Sequence, residues 1–95
     1  EELLALIAQG EGETLEFKRS VAELDKVTET AAAFANTRGG IVLIGVNPAG
    51  RIKGVEVGQT TRERIANRIT SNTDPRLYPS VEFIGVAGRA VAVIN

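Results

Sequence analysis

The sequence predicts an α+β fold, a mixed β-sheet with about three helices packed on it, in the order α-β-α-β-β-α-β-β. Three observations carry that reading. Residues 31–46, AAAFANTRGGIVLIGV, join the end of a small-residue helix to an apolar strand through Asn36-Thr37-Arg38-Gly39-Gly40. Ser20-Val21-Ala22-Glu23 and Thr60-Thr61-Arg62-Glu63 each place a hydroxyl three residues before a glutamate, the pattern that opens a helix. Two runs rich in β-branched residues, 81–86 and 89–94, flank Ala87-Gly88 as a hairpin.

In chain order, residues 1–9 place Leu3, Leu4, Ile7 and Ala8 at helical spacing, with Glu1 and Glu2 suited to the positive end of the helix dipole. Gly10 stops that helix. Residues 14–18 alternate, so Leu15 and Phe17 share one face of a strand and Glu16 and Lys18 the other. The helix opened at Ser20 puts Val21, Leu24, Val27 or Thr28, Ala31 and Phe34 on one stripe. Gly39 or Gly40 can take the positive φ that ends it. Residues 41–46 are apolar apart from Gly45 and read as a strand covered on both faces. The intervening helix is long enough to cross between strands 14–18 and 41–46, so that pair can run parallel. Asn47-Pro48-Ala49-Gly50 reads as a type I turn, and 51–55 as a short return strand. The helix from Thr60 turns Ile65, Ala66 and Ile69 inward, and Asp74-Pro75 and Tyr78-Pro79 punctuate the loop before the final hairpin.

Ninety-five residues make at most one domain, here 1–95. The chain has no Met and stops inside a strand-like run, so a fragment of a longer protein is expected. Hydrophobic content of 43% with 24% charged residues is globular rather than disordered. No apolar run approaches the roughly 20 residues of a membrane span, and no signal segment opens the chain. Without cysteine there is no disulfide framework, which agrees with a cytoplasmic location. The absence of both His and Cys excludes ordinary zinc sites, cysteine nucleophiles and Ser-His-Asp triads within this chain.

Net charge is −1, which predicts weak electrostatic binding by an isolated copy; a homo-oligomer would double a modest basic patch. Charge is unevenly placed: residues 1–29 carry eight acids and three bases, residues 30–95 four acids and eight bases. Arg62, Arg64 and Arg68 form a basic helix face, with Arg38, Arg51 and Lys53 on loops and the return strand. A solvated surface is the ordinary reading of such residues; if they converge, they neutralise phosphates without reading sequence. Gly39-Gly40 lies between a helix and a strand, the reverse of a P-loop; close packing is its plain reading, and amides aimed at a phosphate the alternative. Glu11, Glu13 and Glu16 surround the first strand, with Lys18 two positions beyond Glu16. A Glu16–Lys18 pair on a solvated strand is the plain reading there; Mg²⁺ or Mn²⁺ held for phosphodiester cleavage is the other.

Taken together, Leu15-Glu16-Phe17-Lys18, Ala33-Phe34-Ala35-Asn36-Thr37-Arg38-Gly39-Gly40, Leu43-Ile44-Gly45-Val46 and Ile52-Lys53-Gly54-Val55 resemble the Schlafen AlbA_2 family. The order "LEFK … AFANTxGG … IGV … G.I.GV" is specific as a set, and the resemblance covers nearly the whole chain. It implies a nucleic-acid-binding domain of bacterial and archaeal proteins described as transcriptional regulators, some of them helicase-related or described as ATP-binding. It also implies a second function, since animal Schlafen relatives include metal-dependent endoribonucleases. Their two glutamates match Glu11 and Glu16, and their following lysine matches Lys18. The third acid falls near Asn47, a poorer ligand for a hard cation. The leading expectation is therefore a non-enzymatic DNA-binding module that needs no cofactor. Arg38, Lys53, Arg62, Arg64 and Arg68 would contact phosphates of DNA or RNA, and the loop of Asn36, Gly39 and Gly40 would shape the surface. The alternatives are an Mg²⁺- or Mn²⁺-dependent nuclease with Glu11, Glu16 and Asn47 at the metal and Lys18 on phosphate, and a nucleotide-binding or protein-interaction domain.

Overall fold

The computed structural model describes residues 2–95, so the dipole role expected of Glu1 lies outside the described residues. Four strands form one mixed sheet in the order β1-β2-β4-β3, with helices on both faces. This is the α+β architecture expected from the sequence.

Helix α1 (Glu2–Gln9) buries Leu3 and Ile7 and ends at Gly10, whose φ of 82° lets its amide reach Ile7 O. Leu6 joins their cluster, whereas Leu4 and Ala8 face solvent. The buried stripe is thus rotated relative to the expected one. In β1 (Leu15–Lys18), Leu15 and Phe17 are buried under α1, and Glu16 and Lys18 lie half-buried on the opposite face. Ser20 Oγ accepts from Ala22 N at 3.2 Å, while Glu23 Oε2 reaches back to Arg19 N at 2.9 Å. The capping pair therefore closes one residue early, around a 3₁₀ turn (Val21–Glu23), before helix α2 (Leu24–Ala35) begins.

The α2 terminus uses both glycines of the central stretch. Gly39, at φ 85°, donates its amide to Phe34 O at 2.8 Å. A Cβ on Gly40 would sit 2.6 Å from the Phe34 ring, so glycine there is what lets the ring lie against the backbone. Strand β2 (Ile41–Ile44) follows, parallel to β1 with Leu15 opposite Ile41 and Lys18 opposite Ile44. On its other side it runs antiparallel to β4.

The return segment after β2 differs from a full strand: residues 51–55 pair through a single bridge, Val46 to Ile52. The reason is that both edges of β2 are already occupied, by β1 and β4. Lys53 N and Gly54 N both donate to Gly45 O, and Val55 N then turns to Ala90 O. Gly45, at φ 106°, lies against the Gly54 backbone, its missing Cβ only 3.2 Å from Gly54 Cα.

Helix α3 (Thr61–Ser71) buries Thr61, Ile65 and Ile69. Its expected cap is replaced: Thr60 makes no side-chain cap bond, and Thr61 Oγ1 instead accepts from Gly58 N at 2.7 Å. Strands β3 (Val81–Val86) and β4 (Arg89–Ile94) form the expected hairpin. Ala87 and Gly88 both have positive φ, as a two-residue type I′ connection requires.

Two apolar clusters result. Leu24 and Val27 of α2 and Ile65 and Ile69 of α3 pack on Val42, Ile44, Val81, Ala92 and Ile94. Leu3 and Ile7 of α1 pack on Leu15, Phe17, Leu43, Val46 and Val91 across the sheet. Alternate residues of β2 thus enter opposite clusters, which is why its run reads as continuously apolar. Among the described residues, no helix is long and apolar enough to cross a membrane.

The glycines of this frame are not equivalent. Gly45→Ala combines positive-φ strain with backbone contact and should cost about 2–4 kcal/mol. Gly88→Ala meets open space and should cost about 1 kcal/mol, from φ alone. Urea unfolding midpoints of the two variants check this ordering, and equal shifts would contradict it.

Candidate nucleic-acid interface

Helical geometry divides the three α3 arginines. Arg64 and Arg68 are one turn apart and share the outer face, whereas Arg62, two residues before Arg64, points nearly the opposite way. Arg64 and Arg68 line a shallow groove with Asn67, Ser71 and Asn72, none of them acidic. Among the described residues Arg64 has no carboxylate within ion-pair range, while Arg68 Nη2 meets Asp25 Oδ1 of α2 at 2.6 Å. Arg62 is engaged elsewhere. Its Nε donates to Val81 O at 3.0 Å, and its guanidinium lies 5.6 Å from the centre of the Phe83 ring.

The remaining expected contacts sit at two ends of the sheet. Arg38 precedes β2 and pairs with Glu13 at 2.9 Å, both side chains being mostly in solvent. Asn36 caps α2 through its backbone, and Gly39 has already given its amide to Phe34 O, which removes it as a phosphate donor. Lys53 lies beyond the other end of β2, with its carbonyl receiving Arg89 Nη1 at 3.0 Å. Arg89 was not among the residues singled out by sequence. Its only signal there is that it is the one base on the terminal hairpin, opening its second strand.

The acidic candidates do come together in part. Glu11, Glu16 and Lys18 line one open cleft with Arg19, Ser20, Glu23 and Pro48 at the edge of β1. Lys18 Nζ lies 3.3 Å from Glu16 Oε2. One oxygen of Glu11 accepts from Phe17 N at 2.8 Å, so this carboxylate secures the open edge of β1. Asn47 is outside the cleft lining, and its Oδ1 accepts from Arg51 N at 2.9 Å to close the turn after β2. Among the described residues no three acidic side chains come close enough to hold a metal ion. Of the three carboxylates in the cleft, Glu11 and Glu23 each spend an oxygen on a backbone amide and Glu16 pairs with Lys18, so they do not make a closed site for Mg²⁺ or Mn²⁺.

The family described as Schlafen, AlbA_2 matches residues 11–95. No curated protein matches the chain. Among solved structures, it is similar to the DIP2311 protein from Corynebacterium diphtheriae, with a TM-score of 0.74 at 21% identity. That likeness covers 98% of this chain and 23% of the other, so the chain spans under a quarter of that relative's length. It is also similar to the N-terminal domain of a Nitrosomonas europaea protein described as related to the ATP-dependent DNA helicase RecG. There the TM-score is 0.73 at 25% identity, over 98% of this chain and 69% of the other.

The two acids that flank β1 separate by experiment. Glu11→Ala strands the amide of buried Phe17 and should lower stability by about 1–3 kcal/mol. Glu13→Ala breaks only a solvent-exposed pair and should leave the urea midpoint within error. A Glu11→Ala variant as stable as the parent would show that the β1 edge does not depend on that carboxylate.

Proposed function

The chain belongs to the Schlafen AlbA_2 family, and on that premise we propose that it is a nucleic-acid-binding domain, the DNA-contacting module of a transcriptional regulator. The observation that carries the reading is the outer face of α3. There the free Arg64 and the adjacent Arg68 stand among neutral hydrogen-bonding side chains, Asn67, Ser71 and Asn72, with no acid in the groove. Guanidinium groups with amide and hydroxyl neighbours bind phosphate oxygens without reading base sequence. The similarity to a domain of a helicase-related protein supports the same class of ligand. Lys53 and Arg89 supply a second cationic point at one end of the sheet, and Arg38 a third at the other.

Binding by this face needs no metal. Phosphate has to compete with Asp25 for Arg68 and with Glu13 for Arg38, so Arg64 is the strongest single anchor. Arg62 serves the fold instead, by holding Val81 O and Phe83. The cleft of Glu11, Glu16 and Lys18 favours a second reading, phosphodiester cleavage, because it gathers carboxylates together with an ammonium group. Its incomplete donor set weighs against that reading.

The test is titration of labelled duplex DNA and single-stranded RNA at two salt concentrations, with and without Mn²⁺, followed by denaturing gels of the products. Salt-sensitive binding with intact strands is expected. Arg64→Ala should weaken it uniformly across sequences and reduce the log–log salt slope by about one. Asp25→Asn should tighten it by releasing Arg68. Arg62→Ala should instead lower thermal stability. Metal-requiring cleavage that disappears in Glu16→Ala would overturn the binding reading in favour of the nuclease, and absence of any binding would overturn both.

A further inference from the structure

A cavity of about 200 Å³ opens between the C-terminal turns of α2 and α3, the start of β2 and the end of β4. It is smaller than the about 300–1,000 Å³ of pockets that enclose drug-sized ligands, and suits a single planar ring system. The space exists because α2 presents Ala31 and Ala35 to it, where larger residues would fill it. Two aromatic rings, Phe34 and Tyr78, share its wall, and no acidic residue lines it.

Tyr78 is unusual. It is the chain's only tyrosine, and it is 78% exposed, so its ring makes little contribution to packing. Its backbone is nonetheless held. The preceding Leu77 donates its amide to Thr73 Oγ1 at 2.9 Å and receives Thr70 Oγ1 on its carbonyl at 2.6 Å. Pro79 follows and restricts the chain on the other side. An aromatic face held out on a tied loop is a platform that needs little ordering to be used. Arg76 immediately precedes lining residue Leu77, whereas Arg38, next to lining residue Gly39, turns its guanidinium to Glu13 in a separate groove. Among the described residues Arg76 is in no ion pair. Asn95, also in the wall, offers an amide with both donor and acceptor.

Resting on the nucleic-acid reading above, we propose that this cavity takes one unpaired nucleobase of a single strand, stacked on Tyr78 and Phe34, with a flanking phosphate met by Arg76. Aromatic stacking tolerates any base, and a cation next along the chain from the wall suits a phosphate backbone. A paired base cannot enter, so the domain discriminates single strand or unpaired ends from intact duplex.

Because the chain contains no tryptophan and one tyrosine, its tyrosine emission reports Tyr78 alone. The test uses labelled oligothymidylate, the same strand annealed to oligoadenylate, and two readouts, label anisotropy and tyrosine emission. The single strand should quench Tyr78 saturably and bind more tightly than the duplex. Tyr78→Ala should weaken single-strand affinity about tenfold. Ala35→Leu, at an exposed helical position, should fill the cavity mouth and abolish both the quench and the single-strand preference. Binding of both probes without quenching, or unaffected by Ala35→Leu, would overturn this inference while leaving the α3 reading intact. An Ala35→Leu variant that only raises the unfolding midpoint would assign the cavity to imperfect packing, again overturning it. No anisotropy change with either probe would overturn the nucleic-acid reading itself.

Discussion

The confinement of β2 on both edges and both faces is the constraint on which the rest of the structure depends. Val42, Leu43 and Ile44 are essentially without solvent contact, and each is worth about 1.5–3 kcal/mol in burial. That burial is achieved only if β1 and β4 occupy the two edges while α1 covers one face and α2 with α3 cover the other. Two consequences follow along the chain. The segment before β2 must pack a helix end tightly against the strand start, which Phe34 over Gly40 accomplishes. The segment after it finds no free edge, so it leaves through the Gly45–Gly54 crossing instead of adding a strand.

With so much of a small chain devoted to that strand, charge is pushed to the rim, where three pairs balance part of it locally. Arg38 answers Glu13, Arg68 answers Asp25, and Lys18 answers Glu16. A net charge of −1 thus hides a surface on which, among the described residues, three cations are paired and the others, Arg64 among them, stand apart. Any anionic ligand exchanges one set of ion pairs for another. Its net gain at a paired arginine is small, and its gain at an unpaired one is larger.

Much of the architecture was legible in the sequence because it rests on short-range patterns. The alternation of Leu15 and Phe17, the apolar 41–46 run and the Ala87-Gly88 turn each have a period or a dihedral requirement that few other structures satisfy. The family resemblance was legible for the same reason, since its motifs are the helix ends and turns of this frame. What was not legible depended on partners far away in sequence. The return segment reads as a strand until β4 is seen to occupy the edge it would need. Arg62 reads as a member of a basic face until Val81 and Phe83, about twenty residues later, claim it. Asn47 reads as a ligand until its own turn uses its oxygen. Of the candidate site, the grouping of Glu11, Glu16 and Lys18 was readable from their flanking of one strand. The meeting of Phe34 with Tyr78, forty-four positions apart, was not.

The grip of Arg62 on β3 also bears on the open edge of the sheet. Ser80 and Asn95 exchange both of their backbone bonds, so the alternating pattern turns the Val81 carbonyl outward, to the open side of the sheet. Strand β3 is six residues long and rich in β-branched and aromatic side chains, the sort of margin on which a neighbouring chain readily adds a strand. The guanidinium occupies that carbonyl and lays a charge across Phe83, at the point where such growth would begin. One arginine thus occupies the first outward carbonyl of the open edge, a strand-guarding place that its surface charge alone would not single out.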